Sequence, residues 1–411
     1  MNGSKAVLWL CLWLIPLQCT PDQTESFSPT AKMTLEDLDT FPIATAKPPK
    51  VQRSGKLKNA AKLKQTYTKT NLSNFALPYI GEALADALDS QQLLLKRRKQ
   101  RFQQNFDNIS LNLSDLETTI KLLATWQKTQ PEDLEAHLNA YQLKGKDGRG
   151  NVKFTGYFTP EIKVSKQQSE VYPYPIYAYP KNWDGALPTR QQIDGEKVLQ
   201  GKGLELAYAQ RLEDIYYMQL QGSGLVRFPN GTQQYFGYAG TNQHKYQSIG
   251  KHIKNSENIP LKNISMKGIK NYLKHHPQMV EEVLFANPSY VFFAPTSKAP
   301  LGAGHVPLTA DYSIAVDTRH LPLGSCLLAA VPVIDQEGYF SHHEYKFLLA
   351  QDVGGAIRGN GHVDVYCGVG EEGQRKASAL HHYGQLWLLL PKSLDEQGFL
   401  LSERKWVRDN L

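Results

Sequence analysis

Two periods of hydrophobic and polar positions divide this chain. Residues 79–104 and 114–128 read as helices, the second opened by Ser114-Asp-Leu-Glu117, whose side chains form a capping box for the first backbone amides. Pro131-Glu-Asp-Leu134 opens a third predicted helix that ends at Gly145. Beyond Gly150 the pattern shortens to strands over Val152–Phe158, Val171–Tyr179, Ile215–Leu220, Gln233–Tyr238 and Tyr290–Ala294. Short helices are predicted at Lys251–Lys254, Met266–His275 and Gln278–Phe285. From Val306 to Leu390 strands recur between Gly and Pro turns. Many short strands separated by turn residues predict barrels or sandwiches rather than parallel α/β layers, so the fold is mainly β with N-terminal helices.

The start of the chain lacks this patterning. Lys5 followed by the apolar run Ala6–Leu17 has the form of a secretion signal, residues 1–19, and is too short to span a bilayer. Cys19 stands where a bacterial lipoprotein carries its lipid, although Gln18 replaces the small residue that normally precedes such a cysteine. Residues 20–75 are rich in Thr, Lys, Pro, Ser and Gln and read as a flexible tether.

At 411 residues the chain is long enough for two domains. Its net charge of +7 owes much to one tract, Lys47 to Lys69, with eight basic residues and no acidic one, which reads as a solvated linker. Lys96-Arg-Arg-Lys-Gln-Arg101 ends a predicted helix and complements its dipole. Neither run is joined by a phosphate loop or interleaved aromatics, so nucleic acid is not an expected partner. Tyrosines outnumber the other aromatics, 21 against 15 Phe and 6 Trp, which suits either carbohydrate contact or β-barrel filling.

The chemistry concentrates in Ala350-Gln-Asp-Val-Gly-Gly-Ala-Ile-Arg-Gly-Asn-Gly-His-Val-Asp-Val-Tyr-Cys-Gly-Val-Gly370. Asp352 and Asp364 flank a glycine-rich turn between apolar runs, which predicts strand, tight loop, strand, with both carboxylates near one sheet end. Asp317 ends another apolar run upstream. Each alone reads more often as a turn residue bonded to its own backbone. Gly354 and Gly355 are expected to adopt positive φ and admit a sugar ring, and Gln221-Gly-Ser-Gly224 and Tyr238-Ala-Gly240 to do the same elsewhere. The pairs His342-His343 and His381-His382, and His362, lack zinc-site spacing, so no metal or other cofactor is expected. Cys326 and Cys367 flank the aspartate segments, as a disulfide or as two buried thiols.

Asp352-Val-Gly-Gly-Ala-Ile-Arg-Gly359 with Asp364 resembles the three-aspartate domain of the membrane-bound lytic murein transglycosylase A family. Val152-Lys-Phe-Thr-Gly-Tyr-Phe-Thr-Pro160, Gln219-Leu-Gln-Gly-Ser-Gly224, Gly237-Tyr-Ala-Gly-Thr-Asn242, Tyr246-Gln-Ser-Ile-Gly250, Asn287-Pro-Ser-Tyr-Val-Phe-Phe293 and His382-Tyr-Gly-Gln-Leu-Trp387 follow the family order over residues 110–392. The resemblance implies a double-psi (barwin-like) β-barrel made of residues 76–159 and 299–411, with a second β-barrel domain inserted at 160–298. It implies a secreted enzyme, anchored to the outer membrane through Cys19, that cuts peptidoglycan glycan strands in a groove between the domains. It also implies Asp364 as the catalytic acid, Asp352 and Asp317 as supporting acids, and substrate contacts from Tyr157, Thr159, Gln221, Gly222, Ser223, Tyr238, Ala239, Gly354 and Gly355.

Cutting a β-1,4 glycosidic bond requires a proton for the leaving oxygen and tolerance of charge on the ring. Two carboxyls suffice for a hydrolase. One suffices for a lytic transglycosylase, where the muramic acid 6-hydroxyl attacks its own C1 and effective molarity replaces a bound water. A free Asp is ionised at neutral pH, so the acid needs burial or a neighbouring carboxylate; Asp317 and Asp352 are candidates for that neighbour, and Val363, Val365 and Tyr366 for an apolar lining. Residue chemistry alone does not say which Asp is the acid, and a hydrolase using Asp352 and Asp364, or a wall-binding protein without activity, stays open beside the transglycosylase.

Overall fold

The computed structural model describes residues 67–97, 103–106, 109–129, 134–257, 266–296, 299–335 and 338–392. The secretion signal with Cys19, and the tether through residue 66, lie outside them. Residues 67–75, expected in the tether, are built into the fold instead. Strand β1 (Tyr67–Thr70) pairs antiparallel with β4 (Leu138–Leu143). The Tyr67 ring is buried, and its hydroxyl donates to the His320 carbonyl at 2.5 Å.

The larger sheet has eight strands. Along the chain they are β1, β4, β5 (Val152–Thr159), β12 (Ser313–Val316), β13 (Cys326–Ile334), β14 (Phe340–Val353), β15 (His362–Val369) and β16 (His381–Pro391). Six close into a ring, because β16 pairs with β5 at one end and with β13 in its middle. The far end of β16 pairs with β4. Residues Cys326–Pro332 of β13 are buried on both faces. One face fills the ring; over the other pack α1 (Glu82–Arg97) and α2 (Leu113–Thr129). Each large apolar side chain removed from water there contributes about 1.5–3 kcal/mol. Buried amides tie the layers: Gln91 Nε2 donates to the Ser325 carbonyl at 3.0 Å, and Gln351 Nε2 to the Ala87 carbonyl at 3.1 Å.

The second sheet has the order β11 (Val291–Thr296), β10 (Gln233–Thr241), β9 (Ser223–Arg227), β6 (Glu161–Ser165), β8 (Glu205–Ala209), β7 (Tyr174–Tyr177). Its two edges meet at a bridge between Ala178 and Phe293. Helices α4 (Leu212–Gln221), α5 (Ile249–Glu257), α6 (Met266–His275) and α7 (Val280–Phe285) form its helical side, and β2 (Gln103–Phe106) with β3 (Ile109–Asn112) make a small separate hairpin. Among the described residues no helix is long and apolar enough to cross a membrane.

Several sequence expectations need correction. Residues 215–220 lie in helix α4, not in a strand. This helix is buried on nearly every side, so Tyr216, Tyr217 and Met218 mask the helical period, while Glu213 and Asp214 in its first turn and left-handed Gly222 after its last mark its ends. The third predicted helix shrinks to α3 (Leu134–His137) and continues as β4, captured between β1 and β16. The first ends at Arg97, and residues 103–106 turn into β2. The capping pair of α2 is Asn112 with Asp115 rather than Ser114 with Glu117: Asp115 N donates to Asn112 Oδ1 at 3.1 Å, and Asn112 N to Asp115 Oδ2 at 2.8 Å. Helix α8 (Gly370–Ala379), against β5 and β15, was not foreseen. Cys326 and Cys367 are free buried thiols.

Candidate functional site

Strand β12 lies between the two acidic strands. It runs parallel to β14 with Ala315 beside Asp352, and antiparallel to β15 with Ala315 beside Asp364. The strand, loop, strand reading of residues 350–370 therefore puts both carboxylates at one level of the ring, on either side of one small residue. Strand β5 supplies the adjoining wall, with Thr155 beside Asp364 and Tyr157 beside Tyr366 in parallel register. Alternation turns Thr155 and Tyr157 to one face, the face that Asp364 and Tyr366 share.

Asp352 is held by three donors. The backbone amides of Ala303 and Val353 donate to Oδ1, each at 2.8 Å, and the Tyr157 hydroxyl donates to Oδ2 at 2.8 Å. Burial raises the pKa of Asp352, and these three bonds oppose the rise. Tyr157 keeps its proton, its pKa raised by burial and then by Asp352.

Asp364 has one such bond: the Thr155 hydroxyl donates to Oδ1 at 2.7 Å. Burial pushes the Asp364 carboxyl up to about 6; Thr155 opposes the shift, and the charge of Asp352 adds to it. Of the two acids, the one with three donors is better satisfied as an anion, and the one with a single hydroxyl partner better keeps a proton. Val363 and Val365 do not line this position. They alternate to the other face of β15 and sit in the core of the ring.

Asp317 has a different set of partners from the pair. It accepts from Arg319 Nε at 2.9 Å and Nη2 at 2.5 Å, and from the amide of Gly359 at 2.7 Å. Hydrogen bonds from Arg319 foremost, then the amides of Gly359 and Arg319, hold its carboxyl well below the usual range. The causes of the shift at Asp364 are burial, Thr155, Asp352 and Lys153, so the neighbouring carboxylate among them is Asp352. What Asp317 does is pin the far end of the glycine loop. Gly354 and Gly355 are not at positive φ; Gly359 is, at 81°. A Cβ on Gly354 would come within 2.5 Å of Ile357 Cγ1, so that glycine makes room for the loop's own buried side chain, while Gly355 faces open space.

The remaining expected contacts fall into two groups. Thr159, Gln221 and Ser223 form the joint between the sheets. Thr159 Oγ1 lies 3.2 Å from Ser223 Oγ and 3.0 Å from the Tyr366 hydroxyl, and Phe158 N donates to Gln221 Oε1 at 3.1 Å. Thr159 is 0% exposed, so it braces the joint and presents nothing to a ligand. Gly222 ends α4 at φ 80°. Tyr238 and Ala239 lie on β10, where the register with β11 slips between Tyr238 and Gly240, and Tyr238 is 60% exposed. Thr155 and Arg319 escaped the sequence reading, although Thr155 shares its block and its strand face with Tyr157.

Replacing Asp352 by Asn keeps the shape but removes the charge beside Asp364. The alkaline limb of activity is then expected at lower pH, with turnover at pH 7 down on the order of a few-fold. Asp317→Ala is expected to lower activity and cost about 1–3 kcal/mol through the lost loop contacts, with the limb unmoved. Turnover against pH, beside thermal melts, separates the two; equal limb shifts in both would refute this division of roles.

Two family models match this chain: the MltA specific insert domain over residues 153–294, and the 3D domain over 312–390. The membrane-bound lytic murein transglycosylase A of Escherichia coli (strain K12) is 41% identical over 256 residues, 61% of this chain and 69% of that protein. The protein of that name from Vibrio cholerae serotype O1 shows the same identity and coverage. A crystal structure of E. coli MltA with bound chitohexaose superposes with a TM-score of 0.67 at 31% identity, covering 80% of this chain and 96% of that one. MltA from Neisseria gonorrhoeae does so with a TM-score of 0.66 at 27% identity, covering 81% and 94%. By these matches, this chain belongs to the membrane-bound lytic murein transglycosylase A family.

Proposed function

We propose that this protein is a lytic transglycosylase that cleaves the β-1,4 bond between N-acetylmuramic acid and N-acetylglucosamine in peptidoglycan, with Asp364 as its single acid and base. The observation that carries the reading is the unequal pair: a half-buried Asp364 lifted by desolvation to about 6 beside an Asp352 satisfied by three donors. With Oδ1 occupied by Thr155, Oδ2 of Asp364 is the oxygen for the sugar. Its proton passes to the glycosidic oxygen as the C1–O4 bond breaks. The muramic 6-hydroxyl then closes on C1, forming the C1–O6 bond, and returns its proton to Asp364. No water enters the product. The negative charge of Asp352 opposes early ionisation of Asp364 and favours positive charge developing on the ring.

A glycan substrate is supported by the relative that was crystallised with chitohexaose. In this reading the six-stranded ring, with its parallel pairs β5–β15 and β12–β14, is a double-psi barrel formed by residues 76–159 and 299–411, and residues 160–298 are the inserted domain. The glycan lies in the groove between them, with exposed Tyr238 and the polar edge of Gln221 on the inserted side. Membrane attachment, which the relatives carry in their names, is assigned here to a lipid on Cys19 facing the periplasm, testable by the intact mass of membrane-extracted protein.

The deciding experiment is mass spectrometry of sacculi digested by the purified protein. Ends one water lighter than a reducing sugar are expected. Reducing ends would instead make the protein a hydrolase, and binding without released muropeptides would make it a wall-binding protein.

A further inference from the structure

We propose that His362 determines which oxygen of Asp364 carries the catalytic proton, acting through the hydroxyl of Thr155. The inference rests on the reading of Asp364 as the acid. His362 and Asp364 are two residues apart on β15 and share a strand face. Thr155 on β5 lies between them, its Oγ1 2.9 Å from His362 Nε2 and 2.7 Å from Asp364 Oδ1. The three side chains form one hydrogen-bonded line with a single hydroxyl at its centre.

A hydroxyl has one hydrogen, so the line has two polarities. In the first, His362 Nε2–H donates to Thr155, and Thr155 donates to Asp364 Oδ1. Oδ1 is then an acceptor, and the acid proton sits on Oδ2, facing the sugar. In the second, Asp364 carries its proton on Oδ1 and donates it to Thr155, which donates to an unprotonated Nε2. That proton points away from the substrate and is useless to the leaving group. The Nε2–H tautomer of a neutral imidazole selects the productive polarity. Burial, aided by the charges of Lys153 and Lys146 and by His381, pushes His362 down to about 4, so the ring stays neutral across the range in which Asp364 titrates. The groups facing Asp364 are Asp352 on β14, Lys153 and Tyr157 on β5, and Cys367 on its own strand. None of them bonds to Thr155 Oγ1. Its other acceptor is the Val363 carbonyl at 3.5 Å, the place its hydrogen goes if His362 no longer donates.

The test compares wild type with His362→Phe, His362→Gln, Thr155→Val and the double variant Thr155→Val/His362→Phe, on a defined glycan, following anhydro-product release from pH 4 to 9. His362→Phe is expected to lower kcat by about ten- to a hundredfold with KM unchanged. It should also move the alkaline limb to higher pH, because the Asp364 anion loses a polarised donor. A purely structural lesion lowers the rate without moving the limb upward. His362→Gln, which keeps an N–H within reach, should recover most of the rate. His362→Phe should add nothing on the Thr155→Val background, since both act through one hydroxyl. Independent, multiplying effects in that cycle, or a limb that stays in place in His362→Phe, would overturn the proposal. Asp364→Asn run alongside keeps the two readings separate. If it is inactive while His362→Phe behaves as wild type, only the role of His362 falls; if it turns over normally, the assignment of the acid falls, and this inference with it.

Discussion

Asp364→Asn is expected to lose nearly all release of anhydro-muropeptides, at least a thousandfold by analogy with other single-acid sites, and to melt at a higher temperature than wild type at pH 7. The two effects share one cause. Folded Asp364 holds its proton up to about pH 6, against an ordinary value of 3.8, because burial penalises the charge. Between those values the folded state binds more protons than the unfolded one, so stability falls as pH rises through this window. Above about pH 6 the whole cost is present, on the order of 3 kcal/mol. Asn is neutral at every pH and still accepts from Thr155, so it relieves that cost. The gain should vanish near pH 4, where wild-type Asp364 is protonated. Thermal melts of both proteins from pH 4 to 8 give the comparison. Melting curves that stay parallel across that range would mean that Asp364 is not a strained carboxyl, and an active Asp364→Asn would remove it from the chemistry.

Arg190→Ala is expected to cost about 3–5 kcal/mol and to loosen the second sheet. Arg190 is 2% exposed, and its guanidinium meets a full set of partners. Nη1 donates to Asp194 at 3.3 Å, Nη2 to Gln219 at 2.5 Å and to the Ser289 carbonyl at 2.8 Å, and Nε to the Asn287 carbonyl at 3.2 Å. The rings of Tyr216 and Tyr290 lie 4.7 and 5.0 Å from its charge centre. Truncation leaves the Asp194 carboxylate buried without its counter-charge. Burial already raises Asp194 to about 6 against the pull of Arg190, so its loss drives Asp194 further toward the neutral form. The deficit should therefore be largest at neutral pH and shrink toward pH 4, where Asp194 is protonated in the folded state of both wild type and variant. Calorimetry at pH 4.5 and 7.5 is the measurement, and an equal melting loss at both would contradict a charge-based account. Arg190→Lys should recover only part, since an ammonium does not reach four separate acceptors with fork geometry.

What could be read in advance follows from which signals are local. The strand, loop, strand around Asp352 and Asp364 was legible because apolar runs and glycines are local signals, and pairing with β12 then places both acids beside Ala315. The second sheet was legible only as scattered strands. Helix α4 was missed because a helix buried all round has no polar face to reveal its period, and its Tyr-Tyr-Met core is equally at home in a strand. Strand β4 was missed for the opposite reason. Leu138-Asn-Ala-Tyr-Gln-Leu143 has helix-tolerant residues, and only the neighbours β1 and β16, distant in sequence, make it a strand. At the site, residue chemistry named three acids, and their division of labour entered only through the family resemblance. That division depends on donors from β5 and from Ala303, which lie far from the acids along the chain. Asp317 looked like a third member of the cluster and is a loop anchor, a difference made by Arg319 two residues on.

The double use of β16 bears on how this molecule matures. The ring closes only when His381–Gly384 reach β5, some two hundred residues earlier in the chain, while Trp387–Pro391 reach β4. Thr155 and Tyr157 must likewise meet β14 and β15 across a comparable stretch. Such distant pairings are slow to find, because loop-closure entropy is lost before the contacts form. The contacts that set Thr155 and Tyr157 against the two acids depend on β14 and β15, both late in the chain. On the reading of Asp364 as the acid, a chain without these pairings holds that carboxyl in water, at ordinary acidity, and has no proton to give at neutral pH. On that reading, cutting power depends on these distant strands having met.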